Sequence, residues 1–78
     1  MNKLNNYDFE NYDFILRRNG KRYNVQGKFK EECIKALNEK RVVRARTLFN
    51  IEDRKYQILS ANHKHGHKCI VFLGGKTK

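Results

Sequence analysis

Asn19-Gly20 sits between two segments that alternate apolar and polar residues, and it restricts the fold more than any other pair in the chain. Both residues accept positive φ, which a type I′ turn requires, so a two-residue β-hairpin is predicted here. A loop that short also fixes the register. Arg18 then faces Lys21, Arg17 faces Arg22, Leu16 faces Tyr23 and Phe14 faces Val25. The apolar members share one face, the start of a core. Arg17 and Arg22 lie opposite each other on the other face, where like charges repel.

A helix is predicted next, over residues 28–40. Phe29, Cys33, Ala36 and Leu37, flanked by Ile34, recur at helical spacing. Gly27 is the expected N-cap. Glu31 and Glu32 near the first turn, and Lys40 and Arg41 at the end, suit the helix dipole. A helix of about three turns does not hold itself in water and must dock on a sheet.

Residues 41–49 alternate again and predict a half-buried strand. Val43, Ala45, Thr47 and Phe49 point one way, and Val42, Arg44, Arg46 and Leu48 the other. A turn over Asn50–Asp53 and a return strand over Arg54–Ser60 follow. This places Thr47 opposite Tyr56, Arg46 opposite Gln57, Ala45 opposite Ile58 and Arg44 opposite Leu59. Residues 61–67 read as a polar loop. Cys69–Leu73 is a continuous apolar run, expected of a strand that is central or covered on both faces. The resulting order is β-β-α-β-β-β: a single small α+β domain, with one helix packed on one face of a mostly antiparallel sheet.

At 78 residues the chain has room for one such domain. Residues 1–10 are expected as a flexible or loosely docked N-terminal arm, 11–75 as the domain and 76–78 as a basic tail. The repeated Asn-Tyr-Asp-Phe at 6–9 and 11–14 has a five-residue period, which matches neither helix nor strand. No apolar run approaches the ~20 residues a membrane span needs, and no signal peptide opens the chain. A cytoplasmic location without membrane partners is the default expectation. Two cysteines, Cys33 and Cys69, do not make a disulfide framework and are expected as reduced, buried thiols.

Charge carries most of the functional signal. Eighteen Lys and Arg stand against eight Asp and Glu, a formal +10. The excess is concentrated: residues 1–13 hold one basic and three acidic residues, and residues 14–78 hold 17 and 5. Charge this dense repels itself and attracts polyanions. The strand assignments put Arg17, Arg22, Arg44 and Arg46 on one Arg-rich sheet face opposite the helix. Arg18, Lys21, Lys40, Arg41, Arg54, Lys55, Lys64 and Lys68 flank it at turns, helix ends and loops. Guanidinium forks grip phosphate oxygens, so these twelve residues are the candidate contacts to a nucleic-acid backbone, DNA or RNA. No zinc-finger spacing, RNP motif or KH-type loop accompanies them.

Two alternatives follow from other residues. Val42, Leu48 and Leu59 fall among the arginines, and protein interfaces mix an apolar centre with Arg. That favours an interaction factor, an inhibitor or modulator that binds an acidic protein or a nucleoprotein complex. The length and basicity are compatible with a phage- or plasmid-encoded protein of this kind. The other alternative is a metal-independent ribonuclease using His63, His65 and His67 with Arg44 and Arg46. His63, His65, His67 and Cys69 alternate, and a regular strand would bring them to one face in reach of a metal. Gly66 and the neighbouring lysines argue against that strand. Neither a metal nor a cofactor is expected, no catalytic residue is assigned, and a non-enzymatic role is favoured.

Overall fold

The computed structural model describes residues 3–77, with side chains described through residue 74. A 3-10 turn, Phe9–Asn11, precedes β1 (Asp13–Arg18) and β2 (Lys21–Asn24). Helix α1 (Gly27–Asn38) follows, then β3 (Leu48–Ile51), β4 (Arg54–Asn62) and β5 (Cys69–Thr77). The five strands form one mixed sheet in the order β2-β1-β5-β4-β3. The α+β class and the β-β-α-β-β-β order are as the sequence predicts. Three of the four ladders are antiparallel, and β1 with β5 is parallel.

The first hairpin forms in the expected register, Arg18 with Lys21, Arg17 with Arg22 and Leu16 with Tyr23. Its turn residues Asn19 and Gly20 both take positive φ, 55° and 77°. The Val25 N–H donates to the Phe14 carbonyl just past the ladder, at 2.8 Å. Helix α1 buries Cys33 and Leu37 against the sheet, with Phe29 packed on Tyr56 and Phe72 at ring separations of 6.0 and 6.3 Å. Gln26, not Gly27, is its N-cap residue. The apolar run becomes the central strand β5, whose Ile70 and Phe72 are fully buried. Its other face is not covered: Leu73 remains 39% exposed.

Residues 41–47 do not form the predicted strand. They cross as irregular chain and close a turn over Arg44–Thr47, leaving only Leu48–Ile51 as β3. The turn explains the difference. The Thr47 N–H donates to the Arg44 carbonyl at 3.1 Å, and the Arg44 N–H donates to Thr47 Oγ1 at 3.0 Å. A threonine hydroxyl that captures a backbone amide in this way competes with a ladder for it. Arg46 occupies the third position of the turn with φ 75°, left-handed backbone that is uncommon for a bulky residue. The second hairpin therefore closes through two residues, Glu52 and Asp53. Its register, Phe49 with Tyr56 and Leu48 with Gln57, is two residues away from the expected one.

Residues 4–12 lie on the same side of the sheet as α1. Phe9 and Tyr12 are buried, and Phe9 meets Phe14 edge-on at 6.2 Å. Asn5 secures the start of this segment. Its Nδ2 donates to the Leu37 and Lys40 carbonyls, each at 2.9 Å, and its Oδ1 accepts the Tyr7 N–H at 3.1 Å. The Leu37 carbonyl, in the last turn of α1, also accepts the Lys40 N–H at 3.0 Å, so Asn5 ties the segment to the end of the helix. At the other terminus, the backbone of residues 76 and 77 continues β5, and Lys78 lies outside the described residues together with residues 1 and 2 of the arm.

Candidate interaction surface

Helix α1 and the N-terminal segment cover one face of the sheet. Among the described residues nothing covers the other, and the register lays out its side chains row by row. Across the middle run Asn24, Ile15, Val71 and Ser60. One step toward the first hairpin turn run Arg22, Arg17, Leu73, Gln57 and Leu48. Beyond them Asn50 pairs with Lys55. In the opposite direction Asp13, Cys69 and Asn62 form the last row. Leu59 joins this face at a break in the β4–β5 register and lines a hollow with Leu73.

The outer face therefore carries an aliphatic centre, broken by the uncharged Gln57 and Ser60, with basic and amide-bearing residues and one acid, Asp13, at its border. Leu48 is 46% exposed, and Ile15, Leu59 and Val71 are half-buried only by their neighbours. Arg17, Arg22 and Lys55 are exposed around them. None of the positions in these rows is aromatic. Phe9, Tyr12, Phe14, Phe49, Tyr56 and Phe72 all belong to the core on the opposite face.

The twelve candidate basic residues divide into three groups. Arg17, Arg18, Lys21 and Arg22 share one end of the sheet with Arg54 and Lys55, because β4 begins where β1 and β5 end. Lys40 and Arg41 follow the helix, and Arg44 and Arg46 belong to the irregular crossing and its turn. Lys64 and Lys68 lie in the loop between β4 and β5, at the far end of the sheet. The predicted strand that was to carry Arg44 and Arg46 onto that face does not form. The Arg46 N–H donates to the Ile58 carbonyl on β4 at 2.7 Å, so the turn sits in the lane of β3. That is three strand spacings from β1, about 14 Å. What the structure brings together is Arg17 and Arg22 on the outer face, with Lys55 at the same end.

The histidines separate as well. Strand β4 stops at Asn62, and His63 turns inward. The Val43 carbonyl lies 2.8 Å from its Nε2 and can only accept, so Nε2 carries the proton. Nδ1 then accepts the Tyr12 hydroxyl at 2.6 Å. Tyr7 stacks on the imidazole at 4.0 Å between ring centres. Burial, with Tyr7 and Asp8 nearby, holds the Tyr12 phenol above its ordinary value. His65 and His67 remain exposed beyond a turn closed by the His67 N–H on the Lys64 carbonyl. Among the described residues no three His, Cys, Asp or Glu side chains are placed to hold a metal ion. Both thiols are free: Cys33 is buried, but Cys69 is only half-buried on the outer face. Burial and the Asp13 carboxylate push the Cys69 thiol up, while Arg22 lowers it.

Sequence reasoning missed two features. The outer aliphatic centre includes Ile15, Val71 and Leu73, and a strand pattern alone does not say that one face of the sheet stays uncovered. The signal was available, since one twelve-residue helix covers one face of a five-stranded sheet and not two. The roles of Asn5 and His63 had no local signal, because their partners lie 32 and 51 residues away in sequence. Among the described residues no helix is long and apolar enough to cross a membrane. Comparison with protein-family models, with curated proteins and with solved structures finds no match.

Proposed function

We propose that this protein is a non-enzymatic binding module that docks on an acidic protein partner through the uncovered face of its sheet. The observation that carries the reading is the aliphatic patch formed by Ile15, Leu48, Leu59, Val71 and Leu73, bordered by Arg17, Arg22 and Lys55. An exposed apolar centre loses free energy against water until something covers it. Arginine at the border of such a centre is the composition of protein interfaces. The formal +10 selects against a second copy of the chain and favours an acidic surface.

A nucleic-acid backbone is the second reading. It is favoured by the six basic side chains at the hairpin end of the sheet, Arg17, Arg18, Lys21, Arg22, Arg54 and Lys55. Two features weigh against it as the main role. Sheets that bind single strands stack bases on aromatic side chains, and this face has none. The remaining basic residues are dispersed over two other regions.

A leucine-directed variant separates the readings. Leu48→Ser with Leu73→Ser leaves every basic residue in place. On the protein-docking reading, the wild-type chain recovers one stoichiometric acidic protein from nuclease-treated lysate of its own host cell, and the variant does not. Binding to a fluorescent oligonucleotide, measured at about 50 and about 200 mM salt, changes little between them. If the variant recovers the same protein as the wild type, the sheet face is not the docking surface. If both chains bind only oligonucleotide, with a steep salt dependence, the second reading replaces the first.

A further inference from the structure

Where the outer face meets the first hairpin turn, a hollow of about 580 Å³ opens. Leu59, Leu73 and Gly74 form its floor, and Arg17, Arg18 and the Asn19-Gly20 turn form its wall. The volume lies in the range of sites that hold a compact ligand or a large side chain with its flanking backbone. Gly74 has φ 154°, and a Cβ there would lie 2.7 Å from the Lys55 carbonyl oxygen and the Tyr56 Cα. The close approach of β5 to β4 keeps position 74 a glycine, beside the exposed Leu73. Its wall carries only positive charge: Arg17 and Arg18 are both exposed, and the turn between them and Lys21 bears no acidic residue.

We infer that this hollow receives an aromatic or branched aliphatic side chain borne by an acidic segment of the partner protein. The inference rests on the docking role proposed above and names what that role recognises. The apolar side chain sits on Leu59 and Leu73. Carboxylates on either side of it in the segment meet the Arg17 and Arg18 guanidinium groups in charge-assisted hydrogen bonds. Both halves of the ligand are needed. A bare phosphate would satisfy the arginines and leave the leucine floor wet, and a neutral apolar segment would cover the floor and gain nothing from the wall. A side chain in a pocket ringed by Arg is the pattern of an interface hot spot.

The test is a titration of the isotope-labelled full chain, followed by backbone amide shifts. Three capped pentapeptides are compared: Asp-Glu-Phe-Glu-Asp, its neutral form Asn-Gln-Phe-Gln-Asn, and Asp-Glu-Gly-Glu-Asp. A short oligothymidine is the fourth ligand. The first peptide is expected to produce saturable shifts at Asn19, Gly20, Leu59, Leu73 and Gly74. Removing either the carboxylates or the phenyl ring weakens binding about 10-fold or more. Arg17→Gln weakens the acidic phenylalanine peptide by a similar factor and leaves the neutral peptide unchanged. The inference is overturned if the Phe and Gly peptides bind alike, if the neutral peptide binds as well as the acidic one, if oligothymidine binds these residues more tightly than any peptide, or if no saturable shift occurs. Leu48 lies outside the hollow, so capture of the acidic protein by the Leu48→Ser chain reads the docking role separately. Peptides that fail to bind while capture by the wild type remains Leu48-dependent reject the hollow alone. Capture that is indifferent to Leu48 and Leu73 rejects the docking role itself.

Discussion

Removing the His63 side chain should destabilise this fold far more than removing either neighbouring histidine. His63→Ala deletes a 2.6 Å bond to the Tyr12 hydroxyl and a 2.8 Å bond to the Val43 carbonyl. It also removes the ring that stacks on Tyr7 at 4.0 Å. Each hydrogen bond contributes about 1 kcal/mol net, and an aromatic pair about 0.5–1.5 kcal/mol beyond its burial. The sum is about 3 kcal/mol, with the Val43 carbonyl left unpartnered beside a fully buried side chain. A chain of 78 residues has a total stability of about 4–12 kcal/mol, so the loss is a large fraction of it. For a domain of this size each kcal/mol lowers Tm by about 4–8 °C, which gives a fall on the order of 10–25 °C. Urea unfolding followed by far-UV circular dichroism measures it, with His65→Ala and His67→Ala as exposed controls expected within about 0.5 kcal/mol of wild type. A cycle of Tyr12→Phe with His63→Phe reads chiefly the hydroxyl–imidazole bond, because an aromatic ring remains at each position to keep their edge-to-face contact at 5.6 Å. A His63→Ala chain within about 0.5 kcal/mol of wild type, or a coupling of zero in the cycle, would refute the assignment of His63 as the tie between the N-terminal segment, β4 and the 41–47 crossing.

Two further outcomes follow from single positions. Gly74→Ala forces a Cβ to within 2.7 Å of β4 backbone and strains a φ of 154°, so it should cost more than about 2 kcal/mol by the same urea assay; a loss below about 0.5 kcal/mol would mean that β5 stands further from β4. Burial, with Glu32 nearby, pushes the Cys33 thiol up to about 12 from its ordinary 9.0, so the folded chain retains a proton that the unfolded chain releases. The stabilisation from this thiol is complete below about pH 9 and is lost as pH rises toward 12. Cys33→Ala should flatten the alkaline decline in stability, and in the native wild-type protein a thiol reagent near pH 8 should label Cys69 and spare Cys33.

The parts of the fold that the sequence makes legible are those governed by nearest-neighbour chemistry. Asn19-Gly20 sets its hairpin because two adjacent residues accept the backbone that a type I′ turn needs, and the register follows without help from the rest of the chain. The apolar stripe of α1 and the unbroken run of β5 are likewise local. The crossing over 41–47 is not. Its alternation of Val43, Ala45 and Thr47 is a valid strand pattern, but Thr47 spends its hydroxyl on the Arg44 amide, and a turn forms with Arg46 in a left-handed conformation. With that turn in place Arg44 and Arg46 lie in no strand, although the Arg46 N–H still meets β4, and the β3–β4 register stands two residues from the expected one. The candidate site suffers most, because half of the expected arginine face depended on it.

The surviving surface is set by a shortage of covering structure. One helix and a short N-terminal segment fill one side of five strands, and among the described residues no further element lies on the other. A protein under selection only for its own stability would place polar residues there, as in sheets with one solvated face. The border does so, with Arg17, Arg22, Asn24, Asn50, Lys55 and Asn62. The centre does not: Ile15, Val71, Leu73, Leu59 and Leu48 run across four strands without an intervening charge. Charge and apolar surface here are sorted into rim and centre, which random solubilising lysines would not achieve. Net charge alone would attract any polyanion. On the docking role proposed above, that sorting favours a partner that is acidic at its edge and apolar in the middle, and so ranks a protein surface above a phosphate backbone.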